Sequence, residues 1–80
     1  MTNKLTPGRV LLMEVLDVPQ LADTIADDAD LILAGINSGD LIRLGLRIEE
    51  QTDLPLTDDE LIELQTVNGI DNVLANRTRE

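Results

Sequence analysis

The chain contains no cysteine, no histidine and no aromatic residue. Without cysteine, neither a disulfide framework nor a thiolate metal site can be built. Without histidine, the usual general base, the commonest metal ligand and the serine–histidine pair of nucleophilic catalysis are all missing. Phe, Tyr and Trp supply stacking platforms for bases and sugars, and their absence leaves a core of Leu, Ile, Val, Met and Ala. Positive charge is scarce too. Six Lys and Arg stand against sixteen Asp and Glu, a net charge of −10. Such a surface repels a phosphate backbone, so nucleic acid is not an expected partner. No apolar run is long enough for a signal peptide or a membrane span, which makes a cytoplasmic protein the expectation and membrane insertion an unexpected mode.

Eighty residues suffice for a single domain, near the lower size at which one core folds without staples. The acids are unevenly placed. Eleven carboxylates fall between Asp27 and Glu63, opposed only by Arg43 and Arg47, a local balance of −9. Taken alone, that is a solvated face that keeps a small domain soluble. A field of this kind also steers a basic partner surface and speeds encounter.

Local signals define helices. Thr6 followed by Pro7 reads as a cap and first helical position, opening a helix over about Pro7 to Leu16. Its broad apolar stripe is Val10, Leu11, Leu12, Met13 and Leu16. Pro19 to Ala34 is less regular: a long, partly helical loop in which Leu21 and Ile25 make a turn and Leu31 and Leu33 anchor to the core. Gly35 to Gly39 is a turn, with Ser38 as N-cap of a second helix and Asp40 at its favourable positive end. Leu41, Ile42, Leu44, Leu46 and Ile48 give that helix its apolar stripe, weakened at Gly45. Arg43 with Asp40, and Arg47 with Glu50, have helical pairing distance. Thr52 to Leu56 is a connection. Thr57 and Glu60 then form a capping box for a short third helix, about Asp58 to Leu64. Thr66 caps a last helix that buries Val67, Ile70, Val73 and Leu74, is weakened by Gly69, and frays from Asn76. No segment alternates as a half-buried strand would.

Few places are left for chemistry. The pairs Asp27/Asp28 and Asp58/Asp59 lack the alternating oxygen ligands of a calcium loop, so no metal site is expected. Paired carboxylates for glycosidic chemistry need a cleft that an aromatic-free chain of this length hosts poorly. There is no glycine-rich phosphate loop. Ser38 remains, either as a plain helix cap or as an attachment point.

The run Asp30, Leu31, Gly35, Ile36, Asn37, Ser38, followed by Leu41, Ile42, Leu44, Ile48, Glu49 and Glu50, resembles the acyl and peptidyl carrier proteins. That family has a Gly-x-Asp-Ser-Leu motif ahead of a helix ending in paired glutamates. The similarity continues through Leu56, the acids from Asp58 to Glu60 and the Thr66–Val67 start of the last helix. The resemblance implies one all-α domain over 1–80 with disordered ends at about 1–5 and 77–80. Its fold would be a four-helix bundle of carrier type: three main helices, a short third one, and a long loop between the first two. It further implies a monomeric carrier, not an enzyme, whose Ser38 takes 4'-phosphopantetheine from coenzyme A. The expected partners are a phosphopantetheinyl transferase and loading and processing enzymes with basic docking patches, met by Asp40, Leu46, Glu49 and Glu50. The arm would hold acyl or aminoacyl groups as thioesters in a dedicated biosynthetic pathway. Departures from the pattern are Asn37 for Asp, Gly39 for Leu, Arg43 where an acid is common, and Thr52 for a bulky apolar residue. They keep open a second reading, an unmodified acidic module that only binds basic partners.

Overall fold

The computed structural model describes residues 5–77. Among them the chain forms α1 (Pro7–Val15), a 3-10 turn (Pro19–Asp23), α2 (Ser38–Thr52), α3 (Asp58–Glu63) and α4 (Val67–Arg77). This is the all-α arrangement expected, with the long loop and the short third helix in place and no strand among the described residues. Most of the two ends expected to be disordered lies outside the described residues. Within them, Leu5 is exposed and Arg77 belongs to α4.

The helix starts follow the local chemistry. The Thr6 side chain accepts from the Arg9 amide, with Pro7 in the first turn. Thr57 and Glu60 form the reciprocal capping box. The Thr66 hydroxyl accepts from the Gly69 amide at 2.9 Å. Each cap satisfies a donor that the helix itself cannot, a stabilisation of about 1 kcal/mol. Helix α2 runs through Thr52 and stops at Asp53, whose left-handed backbone (φ 57°) turns its amide onto the Glu49 carbonyl at 2.8 Å.

Helix α1 is central: it packs against α4, the 3-10 turn and α2, while α3 rests on α4. Leu11, Leu12, Val15 and Leu16 meet Leu44 and Ile48 of α2 and Val67, Ile70 and Val73 of α4 in one buried cluster. From the long loop, Ala22, Ile25, Leu31 and Ile36 complete it. Four expected core residues are not there. Val10, Ile42 and Leu46 are exposed, and Leu33 is 88% exposed. On α2 the buried side chains are Leu44 and Ile48, with Leu41 half-buried against the cluster, and Ile42 and Leu46 are left exposed. Leu33 is displaced by a turn described below.

Three features went unread in the sequence. Arg9 is fully buried: its Nη1 donates to the Ala22 carbonyl and its Nη2 meets Asp27 at 2.5 Å, tying the loop to α1. In a core without aromatics, this long side chain fills the junction between α1 and the 3-10 turn. Arg77 does not fray. It meets Glu60 through Nε at 2.9 Å and Nη2 at 2.7 Å, and donates to the Thr52 hydroxyl and to the carbonyls of Leu54 and Pro55. Gly69 is a close-approach site: a Cβ there would lie 1.6 Å from the Glu63 carbonyl oxygen. Only glycine lets the end of α3 sit on the start of α4.

Candidate functional site

The loop that leads into α2 is closed by its own backbone. Asp30 accepts the amides of Ile32 and Leu33 on its carboxylate at 2.9 and 3.1 Å, and the amide of Ala34 on its carbonyl. Gly35 then donates to Ile32, and Ile36 to Leu31. Five consecutive amides, from residue 32 to residue 36, are therefore satisfied. Gly35 has φ +104°, a conformation that L side chains rarely adopt. Buried Leu31 and Ile36 pin the two ends of the turn. Leu31 also donates its amide to the Gln65 carbonyl, and Asn68 donates to Asp27, so the loop is stitched to the start of α4 and the segment before it.

This turn delivers the chain to α2 with Asn37, not Ser38, at the cap. The Asn37 side chain accepts from the Gly39 amide at 2.7 Å, and its carbonyl accepts from Asp40. Asparagine ranks with serine as a cap, and being one residue earlier it takes the role. Ser38 is thereby the first helical residue, exposed, and no hydrogen bond of its hydroxyl is found among the described residues. A serine released from capping presents a free hydroxyl at the positive end of a fifteen-residue helix.

The electrostatics around it are balanced. Asp40, two residues on in the first turn of α2, would oppose an anion, but Arg43 pairs with it and also donates to the Val15 carbonyl at 3.2 Å. Arg47 meets Glu14 at 3.1 Å and approaches Glu50 at 3.9 Å. Both pairs expected from the helical spacing are present, and the two arginines also cross-link α2 to α1 through Val15 and Glu14. Of the four docking positions, Leu46 and Glu50 are exposed on α2. Asp40 is occupied by Arg43. Glu49 accepts the Leu56 amide at 2.8 Å and so holds the connection after α2. A recess of about 880 Å³ opens between α1 and α4, lined by Leu5, Val10, Leu11, Leu74 and Gln51 among others. Gln51 is about 20 Å along α2 from Ser38, so the recess is not beneath the serine.

Among the described residues, the one strongly shifted carboxylate is Glu60. Its hydrogen bonds with Arg77, helped by the Thr57 amide, hold it down to about 2. The same pairing pushes Arg77 up. This is a structural clasp at the far end of α2, not part of the serine site.

A small helical bundle that exposes a serine at the start of a helix has a counterpart among known families. Residues 9–71 match the phosphopantetheine attachment site family, and the chain belongs to it. The matched domain is of the non-catalytic carrier type, and 4'-phosphopantetheine is its prosthetic group. Carriers of this family work with phosphopantetheinyl transferases and biosynthetic enzymes. A relative is the aminoacyl carrier protein of Agrobacterium fabrum, 42% identical over 53 residues, which are 66% of this chain and 64% of that protein. The match therefore spans a little under two thirds of the relative. No solved structure matches. No described helix is long and apolar enough to cross a membrane.

The residues fit the group. A phosphodiester on Ser38 would stand at the start of α2, where the helix dipole favours an anion, while Asn37 already takes the Gly39 and Asp40 amides. The Asp40–Arg43 pair removes the nearest repulsion.

Proposed function

We propose that this protein carries acyl or aminoacyl intermediates as thioesters on a 4'-phosphopantetheine arm joined to Ser38, serving a dedicated biosynthetic pathway in the cytoplasm. The observation that carries the reading is the free, exposed hydroxyl of Ser38 at the first position of α2, inside the matched region. In the modification, the Ser38 oxygen attacks the phosphorus of coenzyme A that bears pantetheine. The new P–O bond replaces the bond to the second phosphate, adenosine 3',5'-bisphosphate leaves, and the serine proton passes to the transferase. A transferase with its magnesium supplies base and charge stabilisation, so a chain without histidine suffices. Once attached, the arm supplies the thiol that a cysteine-free chain lacks. The aminoacyl carrier relative favours an amino acid as cargo. Leu46 and Glu50 are the docking positions free to meet enzymes that work on the arm. Asp40 and Glu49 contribute by shaping the surface.

An unmodified acidic binding module is the second reading, motivated by Asn37, Gly39 and the charge field. One experiment separates the two. The protein is incubated with coenzyme A, magnesium and a broad-specificity or native-host phosphopantetheinyl transferase. Intact mass should rise by one phosphopantetheinyl group, and Ser38→Ala should abolish the gain. A wild type left unmodified by both transferases sinks the carrier reading. The cargo is then read by mass spectrometry of protein purified from its native host.

A further inference from the structure

The sequence contains one Asn–Gly pair, Asn68–Gly69, and the fold sets it in the first turn of α4. Asparagine is among the chemically labile residues. A following glycine opens it to attack, having no side chain and the freest backbone. The glycine nitrogen bonds to the asparagine side-chain carbon Cγ and loses its proton. The bond from Cγ to the amide nitrogen breaks, and ammonia leaves. Water then opens the resulting succinimide ring at either carbonyl, giving aspartate or isoaspartate. Another residue at position 69 would suppress the reaction, but the fold excludes it. A Cβ there would lie 1.6 Å from the Glu63 carbonyl oxygen.

We propose that Asn68–Gly69 is a self-modification site that the first turn of α4 holds latched, and that it reacts when this turn opens. Asn68 is exposed, so water has access to it. The latch has two parts. The Thr66 hydroxyl accepts the Gly69 amide proton at 2.9 Å, which keeps that proton on the nitrogen that has to attack. The helical backbone at Asn68 also turns this nitrogen away from Cγ, and ring closure needs rotation out of the helical range. A helix end opens locally at lower cost than the whole fold, so the turn sets the rate.

The location gives the two products different effects. The Asn68 amide donates to the Asp27 carbonyl and the Leu31 amide to Gln65, so the loop leading to Ser38 is tied to this turn. The end of α3 rests on Gly69. Aspartate leaves the main chain unchanged and adds a charge that the helix start favours. Isoaspartate adds a methylene to the main chain ahead of Gly69 and moves it from beneath the Glu63 carbonyl. The site is a one-way mark of time spent open, whatever Ser38 carries.

The test incubates full-length wild type, Asn68→Ser, Thr66→Ala and Thr6→Ala in mildly alkaline buffer, with a parallel wild-type sample in urea. Peptide mapping by mass spectrometry counts conversion at residue 68, and an isoaspartate-specific carboxyl methyltransferase measures that product. Wild type should convert at least about tenfold faster in urea than when folded, and Asn68→Ser should show no conversion at that position. Thr66→Ala removes the acceptor that holds the Gly69 proton and should speed the folded reaction about fivefold. Thr6→Ala loses the equivalent cap of α1 and should stay within about twofold of wild type. Equal rates in folded and urea-unfolded wild type overturn the latch. Equal acceleration in the two cap variants overturns it as well, because the opening would then be global. Absence of conversion at residue 68 in urea overturns the site itself.

Discussion

At the scale of single residues, the fold depends on positions whose chemistry a pattern of polar and apolar letters does not reveal. Gly69 reads as a weak spot in a helix, where it would cost about 1 kcal/mol relative to alanine. In the fold the sign reverses, because the Glu63 carbonyl occupies the place of a side chain. Gly69→Ala should therefore destabilise by about 3 kcal/mol or more, lowering the thermal midpoint by at least about 10 °C in circular dichroism. An unchanged midpoint would mean that α3 can move away freely. Arg9 was illegible for a related reason: one letter cannot tell a guanidinium folded into a junction from one in solvent. Leu33 misled through its neighbours. Its apolar run suggests an anchor, but Asp30 accepting the amides of Ile32 and Leu33 is a turn signature, and the turn sends residues 32 to 35 outward. At the site, Ser38 was found as the functional candidate, but its role as cap belongs to Asn37. Two capping residues in succession leave the frame ambiguous by one, within the usual spread of helix boundaries.

At the scale of elements, the sequence was most legible where caps and periodicity agree. Thr6–Pro7, the Thr57/Glu60 box and Thr66 each mark a start that the structure places where expected. Helix α3 is the instructive element, because it has no buried residue of its own. Its docking on α4 comes from Arg77 gripping Glu60 and from the close approach of Glu63 to Gly69. That makes it sensitive to acid. The folded carboxyl is held at about 2, below its ordinary value of 4.5, so the folded state favours the charged form. The clasp is complete above about pH 4.5 and is lost as pH falls towards 2. Glu60→Gln should be less stable than wild type by about 1–2 kcal/mol at neutral pH. The gap should close across that acidic window in urea titrations at stepped pH. A gap that persists undiminished at pH 2 would show that the charge on Glu60 is immaterial.

At the scale of the whole molecule, sixteen acids and six bases make association with a basic partner depend on salt. Raising ionic strength from about 0.05 to 0.5 M shrinks the screening length well below the protein's dimensions. Modification by the transferase should then lose kcat/KM several-fold, chiefly through KM. A salt-independent KM would rule out long-range steering. Length, acidity and the missing aromatics were enough to suggest a small aliphatic bundle. The ionic clasp between Glu60 and Arg77 was not visible, because Arg77 lies 17 residues from Glu60 and beyond the last apolar position of α4. That placement has a consequence for anyone moving this domain into another protein. A graft trimmed to the last buried residue, Val73, or even to Asn76, would keep every core side chain yet release the segment between α2 and α3. The portable unit has to be cut after Arg77, and a junction there should spare the guanidinium from neighbouring acids that could draw it away.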